Sequence, residues 1–318
     1  FCNVSINSVI ESIDVETIYD VPIKLRKEKL DERVLEKLNI NNFKDPNLDQ
    51  WKEFLGKLKN PQEEVTIGLI GKYVELHDAY KSINESFIQA GAVNECKVNI
   101  EWISSESLSP EDINKKLDHL DAMLIAPGFG ERGIPGKIEA ARYARENKVP
   151  FFGICLGMQC AVIEFAQNVL GLKDAASTEV DPKTPDPVID LMEEQKSITM
   201  KGGTMRLGAY PCKVTPHTKV HSIYKKENIS ERHRHRYEFN NKYFEQFEEN
   251  GMIFSGINPD SSLVEIIELA DHPWYIGTQF HPELKSTVLN PHPLFVKFVA
   301  ASLKYKKSKV ENGKLINT

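Results

Sequence analysis

Phe151-Phe152-Gly153-Ile154-Cys155-Leu156-Gly157-Met158-Gln159 decides the reading of this sequence. A short apolar run ends in G-x-C-x-G and passes directly into a helical pattern that extends to about Val169, with Gly171 as its cap. That is the strand–turn–helix grammar of a nucleophile elbow, with cysteine in the place of serine. A sharp turn of this kind forces its central residue into a strained backbone, and glycine on either side relieves the crowding. Cys155 then sits at a helix N-terminus, which favours negative charge, and the N–H of Leu156 is free to donate to a developing oxyanion. A buried structural cysteine is the competing reading of an isolated G-x-C-x-G. Cys160, inside the helix, reads as core.

Outward from this turn the pattern alternates. Val65 to Ile70, Val98 to Trp102, Ala122 to Ala126 and Val149 to Ile154 read as strands. Ala79 to Ala90 (closed by Gly91), Pro110 to Leu120 and Lys137 to Asn147 read as helices between them. This order predicts an α/β fold with a doubly wound, mostly parallel sheet. From about Ser197 the pattern turns strand-rich, with candidates at Met205 to Leu207, Arg232 to Phe239, Met252 to Ile257, Leu263 to Leu269 and Trp274 to Phe280, which predicts additional antiparallel strands. A helix from Leu294 to Tyr305 follows. Three regions result: residues 1–60, too small and charged for a core of their own, with a β-like start at Phe1 to Val4 and two amphipathic helices; a domain over 61–305; and a polar, frayed tail over 306–318.

A thiolate nucleophile needs a histidine that is near in space and distant in sequence. Among nine histidines, His281 closes an apolar strand, and open α/β sheets place their chemistry at the carboxyl ends of strands. In His281-Pro282-Glu283, an extended segment held by proline puts Glu283 on the side of His281, where it can fix the ring's tautomer. A satisfied strand-end histidine is the bland alternative. Strand alternation further predicts Arg232, Arg234 and Arg236 on one face and His233 and His235 on the other.

Composition narrows the class. The chain has 318 residues, 41% hydrophobic and 27% charged, with a formal net charge of −6. The acidic balance argues against nucleic-acid binding. No apolar run reaches the roughly 18 residues of a membrane span. Five scattered cysteines without a C-x-x-C pair suggest neither a metal site nor a disulfide framework, and fit a reducing, cytoplasmic compartment. The start, Phe1-Cys2-Asn3, is no signal peptide, and without a methionine it reads as a piece of a longer chain.

Gly153 to Gln159 together with Gln279-Phe280-His281-Pro282-Glu283 resembles the class I, triad-type glutamine amidotransferases, a flavodoxin-like fold. Lys72-Tyr73-Val74-Glu75-Leu76, Asp78-Ala79-Tyr80-Lys81-Ser82, Gly202-Gly203-Thr204-Met205-Arg206-Leu207-Gly208 and Glu231-Arg232-His233-Arg234-His235-Arg236-Tyr237-Glu238 are similar to the CTP synthase family within that class. The resemblance implies Cys155 as nucleophile, His281 as base and Glu283 as its orienter. It also implies oxyanion donors at Gly128 and Leu156, and glutamine binding by Phe129, Gln159, Glu179 and Arg236, the last two answering the α-ammonium and α-carboxylate. It implies that residues 1–22 are the tail of an ATP-dependent ligase domain and that 24–60 are a linker. UTP, ATP and Mg would bind in the ligase portion, since no G-x-x-x-x-G-K-[ST] loop occurs here. GTP would act as activator near the lid Phe129 to Gly136, with Arg132 taking part, and the intact enzyme would be a tetramer. Two departures stand out: Pro127 replaces the first of two family glycines, and His77 stands where proline is expected. A catalytically silent assembly module and a free-standing γ-glutamyl hydrolase are the rival readings.

Overall fold

The computed structural model describes residues 3–191 and 205–316, with side chains to 311. Chain contacts divide it into two compact units, Phe1–Asn60 and Pro61–Thr318.

The first unit contains helices α1 (Val21–Lys27), α2 (Leu30–Lys37) and α3 (Asp49–Lys59). Its apolar centre is a cluster of Tyr19, Trp51 and Phe54, with the Tyr19 and Phe54 rings 5.0 Å apart. Trp51 Nε1 donates to the Tyr19 carbonyl at 2.8 Å, and Lys59 pairs with Asp20 at 2.8 Å. Asn3 and Val4 form no strand; Phe1 and Cys2 lie outside the described residues.

In the second unit, β1 (Glu63–Gly71), β2 (Cys96–Ser104), β3 (Ala122–Ile125) and β4 (Phe151–Ile154) alternate with α4 (Lys81–Val93), α5 (Ile113–Leu117) and α6 (Ile134–Glu146). Helix α7 (Leu156–Asn168) follows β4. Two short strands, β5 (Ala176–Ser177) and β6 (Pro187–Asp190), come next. Then come β7 (Arg206–Val214), α8 (Lys219–Tyr224), β8 (Asn228–His235), β9 (Glu238–Phe239), α9 (Phe244–Glu249), β10 (Met252–Ile257), β11 (Val264–Leu269), β12 (Tyr275–Thr278) and α10 (Pro293–Ile316).

Among the described residues the main sheet runs β2-β1-β3-β4-β12-β11-β10-β7-β8. The first five strands pair in parallel, and from β12 to β8 every pairing is antiparallel. The central strands β3, β4, β11 and β12 are buried on both faces. Phe151 packs with α5, α6 and α7, while Phe152 and Ile154 pack with α4, α8 and α10. Each buried phenylalanine contributes roughly 1.5–3 kcal/mol relative to exposure, and Phe87, Phe152, Phe295 and Phe298 meet ring to ring at 5.3–6.2 Å. β5, β6 and β9 form a separate small sheet.

Several expectations are corrected. Gly91 does not close α4; it lies inside the helix, where a side chain would meet the Cys96 carbonyl oxygen at 2.6 Å, so it serves close helix–strand packing. α5 is a remnant of the helix expected over Pro110 to Leu120. The tail expected to fray beyond Tyr305 is helical to Ile316; Lys306 and Lys309 donate to the Glu64 and Asp118 carbonyls and tie it to the body. α8, α9, β5 and β6 carry too few periodic residues to have been foreseen.

Helix α7, which follows the nucleophile turn, is clamped to α6 by Arg145. Its Nε and Nη2 reach both oxygens of Glu164 at 2.7–3.2 Å, and the Glu164 side chain has no exposed surface. Removing one partner strands a buried charge, so Arg145→Met should lower unfolding stability by about 3–5 kcal/mol. The pair Arg145→Met with Glu164→Leu should recover most of that loss; chemical denaturation of the three proteins checks it.

Candidate active site

The parallel pairing of β4 with β12 brings distant sequence together. Ile154 lies opposite Thr278, and Cys155 N donates to the Thr278 carbonyl at 2.7 Å. Cys155 and His281 therefore leave adjacent strands at the same, carboxyl end of the sheet.

Cys155 takes φ +53° and ψ −104°, a strained backbone for a residue with a side chain. The flanking glycines are there for close approach. A Cβ on Gly157 would stand 2.2 Å from the Ile125 carbonyl oxygen, and one on Gly153 would stand 2.7 Å from the Gly157 backbone. Leu156 opens α7, so its N–H has no partner within the helix. Gly128 packs beside it, its Cβ position 3.4 Å from Leu156 Cδ2.

His281 Nδ1 and Glu283 Oε1 are 2.7 Å apart and buried. The contact arises otherwise than expected. His281 lies beyond the end of β12, and Pro282–Leu284 is a 3-10 turn with proline at its first position, not an extended segment. Proline's fixed φ suits that position, and the turn folds Glu283 back under the ring. Nε2 of His281 is buried without a conventional hydrogen bond, yet the Cys155 sulfur acts on it as a charge and as a side-chain partner. Burial works against the imidazolium; Cys155 and then Glu283 outweigh it and push the pKa up to about 10. Burial raises Cys160 to about 12 and Cys96 to about 11, which keeps them neutral.

A cavity of about 460 Å³ is lined by Cys155, His281, Glu283, Gly128 and Phe129, and by Lys72, Asp78 to Ile83 and Arg234. Phe129 is 41% exposed, with the Arg234 guanidinium 5.5 Å over its ring. Its carbonyl accepts from Lys72 Nζ. Gln159, Glu179 and Arg236 do not line this cavity. They gather beside it: Gln159 donates to the Tyr237 carbonyl at 2.9 Å, and Glu179 and Arg236 both act on the Tyr237 phenol. Glu179 Oε1 also accepts from Gly130 N at 2.9 Å, which links that group to the loop of Gly128. Arg132 is held by Glu106 and the Lys72 carbonyl, both at 3.0 Å, over the Tyr73 ring.

The strand alternation holds for β8, where His233 and His235 are buried and Arg232 and Arg234 exposed; Arg236 lies beyond its end. Gly202 to Thr204 lie outside the described residues.

Sequence reasoning missed three neighbours. Gln279 donates to Cys155 Sγ at 3.8 Å and accepts from Gln159 at 3.1 Å. Arg234 faces the cavity. Lys137, fully buried, donates to the Ala126 carbonyl at 2.9 Å just ahead of Pro127-Gly128, and burial lowers its pKa to about 8. Gln279 and Arg234 stood inside recognised motifs without a role; a lysine in a helical pattern gave no signal at all. Among the described residues no group of three His, Cys, Asp or Glu could hold a metal, and no helix is long and apolar enough to cross a membrane.

Comparison with known proteins is consistent across the chain. The family model "Glutamine amidotransferase class-I" matches residues 75–301. A CTP synthase of Cytophaga hutchinsonii is 67% identical over 309 residues, which is 97% of this chain and 57% of that protein. One from Caldanaerobacter subterraneus subsp. tengcongensis is 55% identical over 311 residues, 98% of this chain and 58% of that protein. The chain thus spans little more than half the length of these relatives. The solved glutaminase domain of Trypanosoma brucei CTPS with bound acivicin is 36% identical, with a TM-score of 0.71, and the match covers 76% of this chain and 94% of that one.

The His281 geometry carries a pH signature. Its folded pKa lies above the ordinary 6.5, so its contribution to stability is complete below about 6.5 and is lost as pH rises through about 10. Thermal midpoints measured from pH 6.5 to 10 should fall more steeply for the native chain than for His281→Asn.

Proposed function

Because this chain belongs to the class-I glutamine amidotransferase family, we propose that it hydrolyses L-glutamine to glutamate and ammonia through Cys155, His281 and Glu283. The observation that carries this is the β4–β12 pairing, which sets the cysteine beside a histidine already bonded to its carboxylate. A silent assembly module would have no use for that strained turn, and a free-standing γ-glutamyl hydrolase would have none for residues 1–60.

With its proton carried by His281, Cys155 Sγ attacks the side-chain amide carbon of glutamine. The carbonyl oxygen becomes an oxyanion held by the N–H groups of Gly128 and Leu156, each worth roughly 2.7–4 kcal/mol in comparable sites. Pro127 has no N–H and contributes none. As the tetrahedral intermediate collapses, His281 gives its proton to the leaving nitrogen and ammonia departs, leaving a thioester. His281 then takes a proton from water; the hydroxide attacks the thioester, and glutamate and the thiol are restored. Glu283 keeps the ring in the tautomer this needs. Arg236 takes the α-carboxylate of glutamine and Glu179 the α-ammonium, with Gln159 in the same group beside the cavity and Phe129 on the cavity wall.

In a longer protein of which this chain is part, the ammonia serves the ATP-dependent amination of UTP to CTP in the cytoplasm, within a tetramer. Residues 1–22 are then the end of the ligase domain and 24–60 the linker. ATP and Mg belong to that portion, and this sequence offers no phosphate loop for them. GTP is the activator, and Arg132 would exchange its Glu106 carboxylate for a phosphate, one anion for another.

Ammonia release from glutamine, with and without GTP, tests the reading. Cys155→Ala should abolish turnover, and a glutamine-like diazoketone should label Cys155 by mass; an unchanged rate places the nucleophile elsewhere. Glu283→Gln should lower kcat by roughly 10²–10⁴-fold while leaving the label on Cys155.

A further inference from the structure

A second set of titratable side chains lies outside this chemistry. Arg206 from β7, His233 and His235 from β8, Glu238 from β9 and Glu265 from β11 are all buried, and they close a ring. Arg206 donates to Glu265 Oε1 at 2.8 Å and to Glu238 Oε1 at 3.2 Å. Glu265 Oε2 lies 3.5 Å from His233 Nε2, His233 Nδ1 lies 2.8 Å from His235 Nε2, and His235 Nδ1 lies 3.3 Å from Glu238 Oε1. Among the described residues, His233 Nε2 and His235 Nδ1 have no hydrogen bond of conventional geometry; they face these ring neighbours, and His235 also meets the Tyr237 backbone. Asn258 also bonds Glu265, and Tyr210 covers the Arg206 guanidinium at 4.5 Å.

The path Glu265–His233–His235–Glu238 has three contacts. In each, two lone pairs would face one another unless a proton stood between them. Two neutral imidazoles bring two protons, so a third is needed. That same proton settles the charge, because two carboxylates face a single guanidinium, and a buried net charge is costly. The distances indicate where it resides. Arg206 makes its shorter contact to Glu265, as an ionised acceptor favours, and burial pushes the Glu238 carboxyl up to about 8 while lowering His233 to about 3. Glu238 is thus the carboxyl that holds it, and His233 and His235 stay neutral, bonded Nδ1 to Nε2. The other charged groups that act on the ring are His281, from the segment after β12, and Cys212 on β7.

The ring touches the reaction site through the backbone. Gln279 N donates to the Glu265 carbonyl and His281 N to the Arg232 carbonyl, each at 2.8 Å. Between them the Phe280 ring meets the His233 ring at 5.8 Å, edge on. We propose that this ring, made neutral by one shared proton, is a positioning element that fixes Gln279-Phe280-His281 between β8 and β11 and so sets the reach of His281 to Cys155. The proposal rests on the reading of His281 as the catalytic base.

Proton counting makes the test sharp. Glutamine at either end supplies the missing donor and leaves Arg206 one counter-charge; glutamine at both ends leaves it none. Glu238→Gln and Glu265→Gln should each keep kcat for ammonia release within about threefold. The double variant should lose at least ~10-fold in kcat with little change in KM, far beyond the product of the single effects. Tautomers read by ¹⁵N–¹H NMR of the histidine-labelled chain give a second answer that needs no turnover. His233 and His235 should both be neutral, protonated on Nε2 in Glu238→Gln and on Nδ1 in Glu265→Gln. Tautomers indifferent to which end is changed, or a double variant with native kcat, would overturn the proposal. If instead the tautomers switch as stated while Cys155→Ala still turns over glutamine, the ring stands and the assignment of the reaction site fails.

Discussion

The structure depends on one pairing. β12, which arrives after an antiparallel excursion through β7, β8, β10 and β11, lies in parallel beside β4. The hydrogen bond from Cys155 N to the Thr278 carbonyl is the last rung of that ladder and the first atom of the nucleophile turn. Any other position for β12 would leave the sulfur and the imidazole in one sheet but out of reach. The fold therefore spends a long, non-local connection, slow to close in folding, to produce one local contact.

Around that contact the electrostatics are arranged in depth. His281 is buried, which opposes its charge, and is nevertheless held as a cation because a sulfur and a carboxylate flank it. A low-dielectric setting strengthens both effects. Next to it, the Arg206 ring gathers five polar side chains into an enclosed, mutually compensating group. Half-satisfied, such a group would weaken the sheet; complete, it specifies one arrangement of β7, β8 and β11.

Much of this was legible in the sequence, for reasons that can be named. The G-x-C-x-G turn is legible because only glycine tolerates the distances that Gly153 and Gly157 meet, so the residue type reports the geometry directly. β1, β3 and β4 are legible because burial on both faces leaves continuous apolar runs, and β2 because its apolar residues alternate with polar ones. His281 and Glu283 were found as a pair, but the turn that joins them was not, since proline fits an extended segment and a 3-10 turn equally well. Lys137 was illegible: a helix pattern cannot say that a lysine points inward. The His233–His235 face was readable from alternation, whereas its partners Arg206, Glu238 and Glu265 come from three other strands, and their meeting is set by sheet order alone.

Cys155 holds a backbone conformation that a residue with a side chain adopts at a cost of about 1–3 kcal/mol. Glycine at the same position would be free of it. Were the proposed chemistry no longer required, replacing this cysteine would relieve strain and leave the turn sturdier. The thiol at this corner is thus held against the grain of the fold, where the backbone by itself favours glycine.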